Sequence, residues 1–258
     1  DFAATCDVIA RFPHPTVDVV HPTADGTLAY RRVIRVDGVL ALFCVTAGVD
    51  EVLTVACAEH TGPFDTDNAL KTIERILCAD LNLTPFYDFA RSEPELWAVV
   101  EPIIGIRWLR TETVYEALMM TIIEQQIAWK AAQRAQRWLV EWGGHTLDHA
   151  GRAYFAFPTP EQIANATIDD LKPLKITFRR MGVMIDCSQQ VVNGTLDLEA
   201  LRDVPQADAY DALVSVKGIG HWTAAWPLQR MHGAQNTVGH NDVALQAATN
   251  RYFYGGEG

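Results

Sequence analysis

The sequence of 258 residues has few cysteines, and none of their spacings is typical of a cysteine-built site. The five are scattered without a CxxC pair, which excludes a clustered zinc site and a disulfide framework as organising features. The pattern instead predicts unpaired, mostly buried thiols in a reducing compartment. These residues are Cys6, Cys44, Cys57, Cys78 and Cys187.

Long apolar runs are also absent. No run approaches the roughly 18 residues of a membrane span, and the N-terminus has no basic patch followed by an apolar core, so no secretory signal is expected. With 49% apolar residues, the chain can bury a substantial core. We therefore expect a soluble, monomeric, cytoplasmic protein that makes no membrane contact.

Positive charge is scarce, with 21 Lys and Arg against 32 Asp and Glu and a formal net charge of -11. Such a balance argues against a nucleic-acid partner, because phosphate binding is driven by basic side chains. The acid excess is uneven, since residues 1–100 have a net charge of -8 and residues 101–258 one of -3. The stretch "KPLKITFRR", Lys172 to Arg180, carries four cations in nine residues, although a solvated helix face explains it equally well.

The first part of the chain has the pattern of a small sheet. Residues 28–57 are rich in Val, Leu, Phe and Thr and are interrupted at Asp37-Gly38 and Ala47-Gly48, which predicts strands joined by tight turns. Apolar residues at helical spacing follow from Asn68 to Cys78. Residues 1–92 are therefore predicted to form an α+β domain around an antiparallel sheet.

From Glu95 onward the sequence shows helical periodicity, with no pattern of a strand pair. Residues 93–258 are therefore predicted to form a bundle of short helices, so that the protein is mainly α and α+β overall. Between Thr113 and Trp142 the pattern allows one long helix, or two with a break near Gln125-Gln126. Further helices are expected after the Thr159-Pro160 cap, around the "IDDLKPLKI" segment, over Phe178 to Val192, over Asp208 to Val216 and from His221.

The stretch "LVSVKGIGHWTAAW", Leu213 to Trp226, predicts two helices joined by a glycine-containing turn. Backbone N–H groups at the start of the second helix, together with the helix dipole, favour an anion such as a phosphate. Gly218 and Gly220 would permit close approach and, in at least one case, a positive φ. An ordinary helical hairpin without a ligand remains an alternative on this pattern alone.

A second stretch, "TVGHNDVALQAATNRYF", places Asp242 at the start of a helix after Gly239, His240 and Asn241. Asp242 alone is explained most simply as a helix N-cap. A K-G-I-G hairpin followed about twenty residues later by such an aspartate, however, resembles the helix-hairpin-helix (HhH-GPD) DNA glycosylase superfamily.

The resemblance covers about 150 residues from Val100 and is most like the AlkA-type 3-methyladenine glycosylases. The order and spacing match in the stretches "YEALMMTIIEQQIAWKAAQRAQRWLVEWG", "FPTPEQIANATIDDLKPL", "FRRMGVMIDCSQQVVNGTLDL" and "ALVSVKGIGHWTAAW". Proteins of this family also carry a small sheet domain ahead of the helical part.

By this resemblance Asp242 is the catalytic carboxylate, which would stabilise the oxocarbenium-like sugar of the transition state and help direct water. Strand-cutting members carry a Schiff-base lysine two residues after the second hairpin glycine, where this chain has Trp222. The resemblance thus implies a monofunctional hydrolase without a catalytic cofactor. Lys217 lies on the other side of the hairpin and is interpreted as a phosphate contact or a solvated charge.

A flipped base is held by stacking, and Trp222 and Trp226 can share one helix face. The resemblance places both in the base pocket, where aromatic rings suit a cationic methylated purine; a core role is the alternative for each. Gln126 is the implied wedge that fills the space left by the base. Gln125 and Ile127 lie beside it, and an ordinary surface glutamine is the alternative.

The resemblance also implies how an acidic protein binds double-stranded DNA. The hairpin residues Lys217, Gly218, Ile219, Gly220 and His221, together with Gln125, would contact the DNA. Backbone carbonyls of Val214, Val216 and Gly218 would hold Na⁺ or K⁺. Lys217 and Gly239 stand where the family usually has prolines. Pro227 inside the second helix is costly unless it kinks the helix or falls in its first turns, and it is a position at which the pocket could be reshaped.

The expected function is removal of alkylated (3-methyladenine or 7-methylguanine type) or deaminated purines from duplex DNA, which initiates base excision repair. A bacterial protein of this kind would associate with the nucleoid. Two alternatives remain: a glycosylase for uracil, hypoxanthine or ethenoadenine, and a non-catalytic DNA-binding module.

Overall fold

The computed structural model describes residues 1–11, 17–48, 52–232 and 242–255. A small antiparallel sheet precedes a bundle of helices, which confirms the predicted fold class. The strands are β1 (Val19–Pro22), β2 (Leu28–Val36), β3 (Val39–Ala47), β4 (Leu53–His60), β5 (Thr146–His149) and β6 (Arg152–Phe155). The helices are α1 (Phe2–Arg11), α2 (Thr66–Ile76), α3 (Thr84–Ser92), α4 (Pro94–Val100), α5 (Val114–Glu124), α6 (Trp129–Trp142), α7 (Pro160–Ala164), α8 (Ile168–Leu171), α9 (Phe178–Val192), α10 (Gln206–Ser215), α11 (His221–His232) and α12 (Val243–Phe253).

The four-stranded sheet is a meander in the order β1-β2-β3-β4, with every neighbouring pair antiparallel. Asp37 (φ 51°) and Gly38 (φ 83°) both have left-handed backbones, which matches the predicted two-residue hairpin turn. One face packs against α1 and α2 through a cluster that includes Ile9, Ile34 and Ile73.

The expectation that no strand pair follows Glu95 is wrong at one place, because β5 and β6 form an antiparallel hairpin. Their turn residues, Ala150 (φ 51°) and Gly151 (φ 75°), are both left-handed. The strands are only four residues long, and Tyr154 on β6 is buried with Val33 and Leu42 of the sheet. Tertiary packing thus stabilises a hairpin too short to produce a clear alternating pattern.

Helix α5 is the centre of the bundle, because all ten residues from Val114 to Ile123 are buried. It is capped by Thr113, whose hydroxyl accepts the Glu116 N–H at 2.9 Å, and it ends before Gln125. Of the two arrangements that the sequence pattern allows here, the structure has the one with two helices and a break at Gln125-Gln126. The predicted Thr159-Pro160 cap is confirmed.

The sheet is fixed to the bundle by a buried ionic cluster. Arg32 on β2 donates to Glu116 on α5 at 2.6 Å and to Asp18 at 2.7 Å, and the Arg32 and Glu116 side chains are each 1% exposed. The predicted domain boundary, between residues 92 and 93, falls between α3 and α4. Across the described ranges, none of the helices is both long enough and apolar enough to cross a membrane.

All five cysteines are unpaired, as predicted, and Cys6, Cys78 and Cys187 are buried. Burial raises the pKa of the Cys6 thiol to about 11 and that of Cys187 to about 12. These two thiols therefore stay protonated and behave as small apolar side chains.

Candidate active site

The predicted helical hairpin is formed by α10 and α11, which are joined by residues 216–220. Gly218 has a φ of +94°, and a Cβ atom there would lie 2.5 Å from a methyl carbon of Val183 on α9. A Cβ atom added at Gly220 would have no other atom within 4 Å. Gly218 is therefore required by the fold, whereas Gly220 leaves the backbone accessible at the start of α11.

The turn is closed by the N–H of Ile219, which donates to the carbonyl of Val216 at 3.0 Å. Ile219 is buried, whereas Lys217 is exposed on the surface of the turn. His221 begins α11, and its Nδ1 lies 2.7 Å from the hydroxyl of Tyr210 with the two rings stacked. The hairpin thus presents Lys217, Gly218, Gly220 and His221 on one exposed turn.

Asp242 caps α12, because its Oδ1 accepts the N–H of Leu245 at 2.9 Å. Its Oδ2 accepts the indole N–H of Trp222 at 3.1 Å. The structure thereby brings the predicted catalytic carboxylate and the predicted base-pocket indole into direct contact. Gly239, His240 and Asn241, which precede Asp242 in sequence, lie outside the described residues.

The two tryptophans of α11 occupy different positions. Their rings meet edge to face at 6.0 Å and 60°. Trp222 lines the cleft beside Asp242, whereas Trp226 contacts the Trp222 ring and is not among the described residues that line the cleft. Its indole nitrogen is buried with no hydrogen-bond partner in the described part of the chain. Trp226 therefore supports the wall that Trp222 forms.

The loop between α5 and α6 places the predicted wedge at the cleft. Gln126 is exposed, lines the cleft and has a left-handed backbone with a φ of +49°. The Gln125 side chain instead donates to the Thr223 hydroxyl of α11 at 2.7 Å. Arg180 on α9 donates to the carbonyl of Gln125 and, at 3.3 Å, to that of Ile123. These contacts fix the loop so that Gln126 projects from it.

These residues surround one cleft of about 960 Å³, which is large enough for a nucleotide. Among the residues that the structure describes, the charged lining consists of two acids, Glu124 and Asp242, and two bases, Arg179 and Arg180. The basic pair comes from the "KPLKITFRR" stretch, and Arg179 is exposed. In the same stretch Lys172 forms a 2.8 Å ion pair with Asp169. One end of the stretch therefore lies in the cleft wall, and the other lies on the solvated surface.

Pro227 lies inside α11 and is buried, yet the helix runs without interruption from His221 to His232. The proline therefore does not end the helix. Leu228 and Met231 on the same helix are buried in the core of the bundle, so packing offsets the cost of the missing N–H.

An ionic network behind the cleft wall was not predicted from the sequence. Arg230 on α11 donates to both carboxylate oxygens of Glu124 at 2.9 and 2.8 Å and to the Thr121 hydroxyl at 2.9 Å. Gln136 donates to Glu124 at 2.7 Å. Each helix carries one of these charged residues near its C-terminal end, but the sequence pattern does not indicate that the two side chains meet.

Comparison with known proteins identifies the family. Residues 119–257 match the model of the HhH-GPD superfamily base excision DNA repair protein. The chain is 28% identical over 217 residues to the DNA-3-methyladenine glycosylase of Bacillus subtilis (strain 168), covering 83% of this chain and 72% of that protein. It is also 29% identical over 120 residues to DNA-3-methyladenine glycosylase 2 of Escherichia coli (strain K12), covering 46% of this chain and 42% of that protein.

Solved structures show the same fold. The 3-methyladenine DNA glycosylase from Archaeoglobus fulgidus superposes with a TM-score of 0.83 at 23% identity, over 100% of this chain and 84% of that one. An 8-oxoguanine glycosylase/lyase of Clostridium acetobutylicum, in complex with double-stranded DNA, superposes with a TM-score of 0.69 at 18% identity, over 91% and 75% of the chains. Because the family model covers more than half of its length, the chain belongs to the HhH-GPD superfamily of base excision DNA repair proteins.

Proposed function

We propose that this chain is a monofunctional DNA glycosylase that flips damaged purines out of duplex DNA and hydrolyses their N-glycosidic bond. The observation that carries the proposal is the 3.1 Å contact between the Asp242 carboxylate and the Trp222 indole in a nucleotide-sized cleft. The names of the 3-methyladenine glycosylase relatives support alkylated purines as the substrate class.

The chemistry follows from the placement of Asp242. Departure of the base leaves positive charge on the sugar, and a nearby carboxylate stabilises that charge mainly in the transition state. The second Asp242 oxygen bonds the Leu245 N–H at 2.9 Å, which fixes the carboxylate against rotation. A fixed charge of this kind needs little reorganisation during the reaction.

The indole at position 222 supports hydrolysis without strand cleavage. A glycosylase that also cuts the strand needs an amine nucleophile to form a Schiff base with the sugar. Trp222 offers none, and Lys217 is exposed and is not among the described residues that line the cleft. Reduction with borohydride should therefore trap no covalent protein–DNA adduct, and a trapped adduct would contradict the proposed mechanism.

The partner we propose is double-stranded DNA held through the exposed hairpin turn, with Gln126 inserted where the base has left. The carbonyls of Val214, Val216 and Gly218 are neutral oxygen donors, which suit Na⁺ or K⁺. Gly218 is exposed and carries no side chain, which leaves this part of the turn open to an ion and a phosphate. Such an ion would link these carbonyls to a DNA phosphate and offset the protein's net charge of -11.

The decisive test is release of base from duplexes that contain 7-methylguanine, 1,N6-ethenoadenine, hypoxanthine or uracil, followed by alkaline cleavage at abasic sites. Wild-type protein should release the alkylated purine, and Asp242→Asn should lower the rate by at least about a hundredfold. Folding and DNA binding should be largely retained, since the asparagine amide can still cap α12. DNA binding without release from any lesion would instead support a non-catalytic module.

A further inference from the structure

The cleft contains a second carboxylate that the proposed function leaves without a role. Glu124 ends α5, immediately before residues 125–128, the wedge loop that carries Gln126. It lines the same cleft as Asp242 and Trp222. Its side chain is 10% exposed, as is that of its partner Arg230. Glu124 is therefore largely removed from water but still borders the space where a flipped base would enter.

The two members of the Glu124–Arg230 ion pair line different cavities. Glu124 lines the catalytic cleft, whereas Arg230 lines a separate cavity of about 340 Å³ together with Met120 and Trp129. The hydrogen bonds from Arg230, at 2.8 and 2.9 Å, hold the carboxylate in place. The negative end of the pair thus faces the cleft and the positive end faces away from it.

The positive charges of the cleft come from another element. Arg179 and Arg180 both belong to α9, and Arg180 is bonded to the carbonyls of Ile123 and Gln125. The side of the cleft formed by α5, α11 and the start of α12 carries only acidic charge among its described lining residues. This acidic side includes the Trp222 ring.

We propose that Glu124 is a specificity-determining residue that favours a flipped purine carrying positive charge over a neutral one. The inference rests on the proposed function. Alkylation of a ring nitrogen at N3 or N7 makes a purine cationic, and such a ring is attracted both by an aromatic face and by a fixed negative charge. Low exposure to water strengthens the second attraction, because screening is weak there.

A purely structural role for the pair predicts a different result. Buried ion pairs often contribute little net stability, and their replacement by neutral side chains of similar size is tolerated. If Glu124 acted only by holding α5 against α11, its loss would slow excision of cationic and neutral lesions by the same factor. Comparison of the two lesion classes therefore separates the two roles.

The test uses the double variant Glu124→Gln/Arg230→Gln, which removes both charges and leaves no unpaired buried ion. Single-turnover release is measured from duplexes of identical sequence that contain either 7-methylguanine or hypoxanthine. The ratio of the 7-methylguanine rate to the hypoxanthine rate should fall about tenfold relative to wild type, whereas the hypoxanthine rate should change less than threefold. Asp7→Asn/Arg11→Gln, which neutralises an exposed pair on α1, is the matched control and should leave the ratio unchanged.

A ratio within twofold of wild type, or a wild-type preference for hypoxanthine, would overturn the inference and leave the proposed function standing. Release of neither base by wild-type protein would overturn the proposed function, and the inference with it. If circular dichroism shows that the double variant is unfolded, Glu124→Met/Arg230→Met removes the same charges with apolar side chains. The same tenfold fall in the ratio of the two rates is expected for it.

Discussion

The two glycines of the hairpin differ in how much room each leaves for a side chain, so alanine should have different effects at the two positions. Gly218→Ala should lower the free energy of unfolding by about 1–3 kcal/mol, because alanine must adopt a left-handed backbone and approach Val183. Gly220→Ala should change stability by less than about 1 kcal/mol, since nothing lies within 4 Å of the added methyl group. Urea unfolding of both variants measures the difference.

DNA binding should show the reverse order for these glycines. A methyl group at Gly220 faces open space at the start of α11, where the proposed phosphate contact lies, so Gly220→Ala should weaken binding while the protein remains stable. Val183→Ala, combined with Gly218→Ala, should restore part of the lost stability by removing the steric contact. Equal destabilisation by the two alanine substitutions would contradict this assignment.

Asp242 illustrates what a residue pattern can and cannot predict. The residue pattern alone favours an N-cap, and the resemblance adds a catalytic carboxylate. The structure shows the cap through Oδ1 and a contact between Oδ2 and the Trp222 indole. The bond to the Trp222 indole was not predictable, because it depends on how α11 and α12 are placed relative to each other. The catalytic role itself stays a prediction.

Among the elements, the wedge loop depends on α9 for its position. Arg180→Met should remove the hydrogen bonds to the carbonyls of Ile123 and Gln125 at the end of α5 while retaining most of the side-chain volume. The left-handed Gln126 would then be held less firmly, and base flipping should weaken about tenfold. A 2-aminopurine base placed beside the lesion reports flipping by its fluorescence.

The neighbouring Arg179 is the control for this prediction. It is exposed on the same wall of the cleft, so Arg179→Met should weaken DNA binding and reduce its salt dependence without changing the melting temperature. Arg180→Met should instead lower the melting temperature by a few degrees. Identical effects of the two substitutions would show that Arg180 acts only through its charge.

The elements that the sequence predicted are those that carry local signals. The predicted helix over Phe178 to Val192 matches α9, and one of the two arrangements allowed between Thr113 and Trp142, that with a break, matches α5 and α6. The β5–β6 hairpin has no such signal over four-residue strands. It forms because Tyr154 packs with Leu42, more than a hundred residues earlier in the chain. Contacts of that sequence separation are not available from a local pattern.

For the whole molecule, the attachment of the sheet to the bundle was the least predictable feature. Arg32 and Arg35 lie on a strand whose alternation predicts only that one face is buried, whereas Glu112 and Glu116 flank the start of a distant helix. Their pairing places Arg32 against Glu116 at 2.6 Å, and the Glu112 carboxylate accepts the backbone N–H of Arg35 at 2.5 Å. The sequence indicated neither contact.

This interface should make stability depend on pH. Burial raises the pKa of the Glu112 carboxyl from 4.5 to about 7. The positive charge of Arg32 and of Arg35 lowers this pKa, whereas repulsion from Glu116 raises it further. Between these two values the unfolded chain releases the proton while the folded protein retains it. Stability from this group is therefore fully present below about pH 4.5 and is lost as the pH rises towards 7, by up to about 3 kcal/mol.

Glu112→Gln tests this expectation, because glutamine keeps the acceptor for the Arg35 N–H and does not titrate. The free energy of unfolding, measured in urea from pH 5 to pH 8, should fall more steeply with pH for wild type than for the variant, so that the variant gains relative stability by pH 8. Glu141→Gln, an exposed substitution on α6, should follow the wild-type curve. Parallel curves for wild type and Glu112→Gln would mean that Glu112 ionises equally in both states, and that the ionic cluster joining sheet and bundle accommodates the full charge of both glutamates.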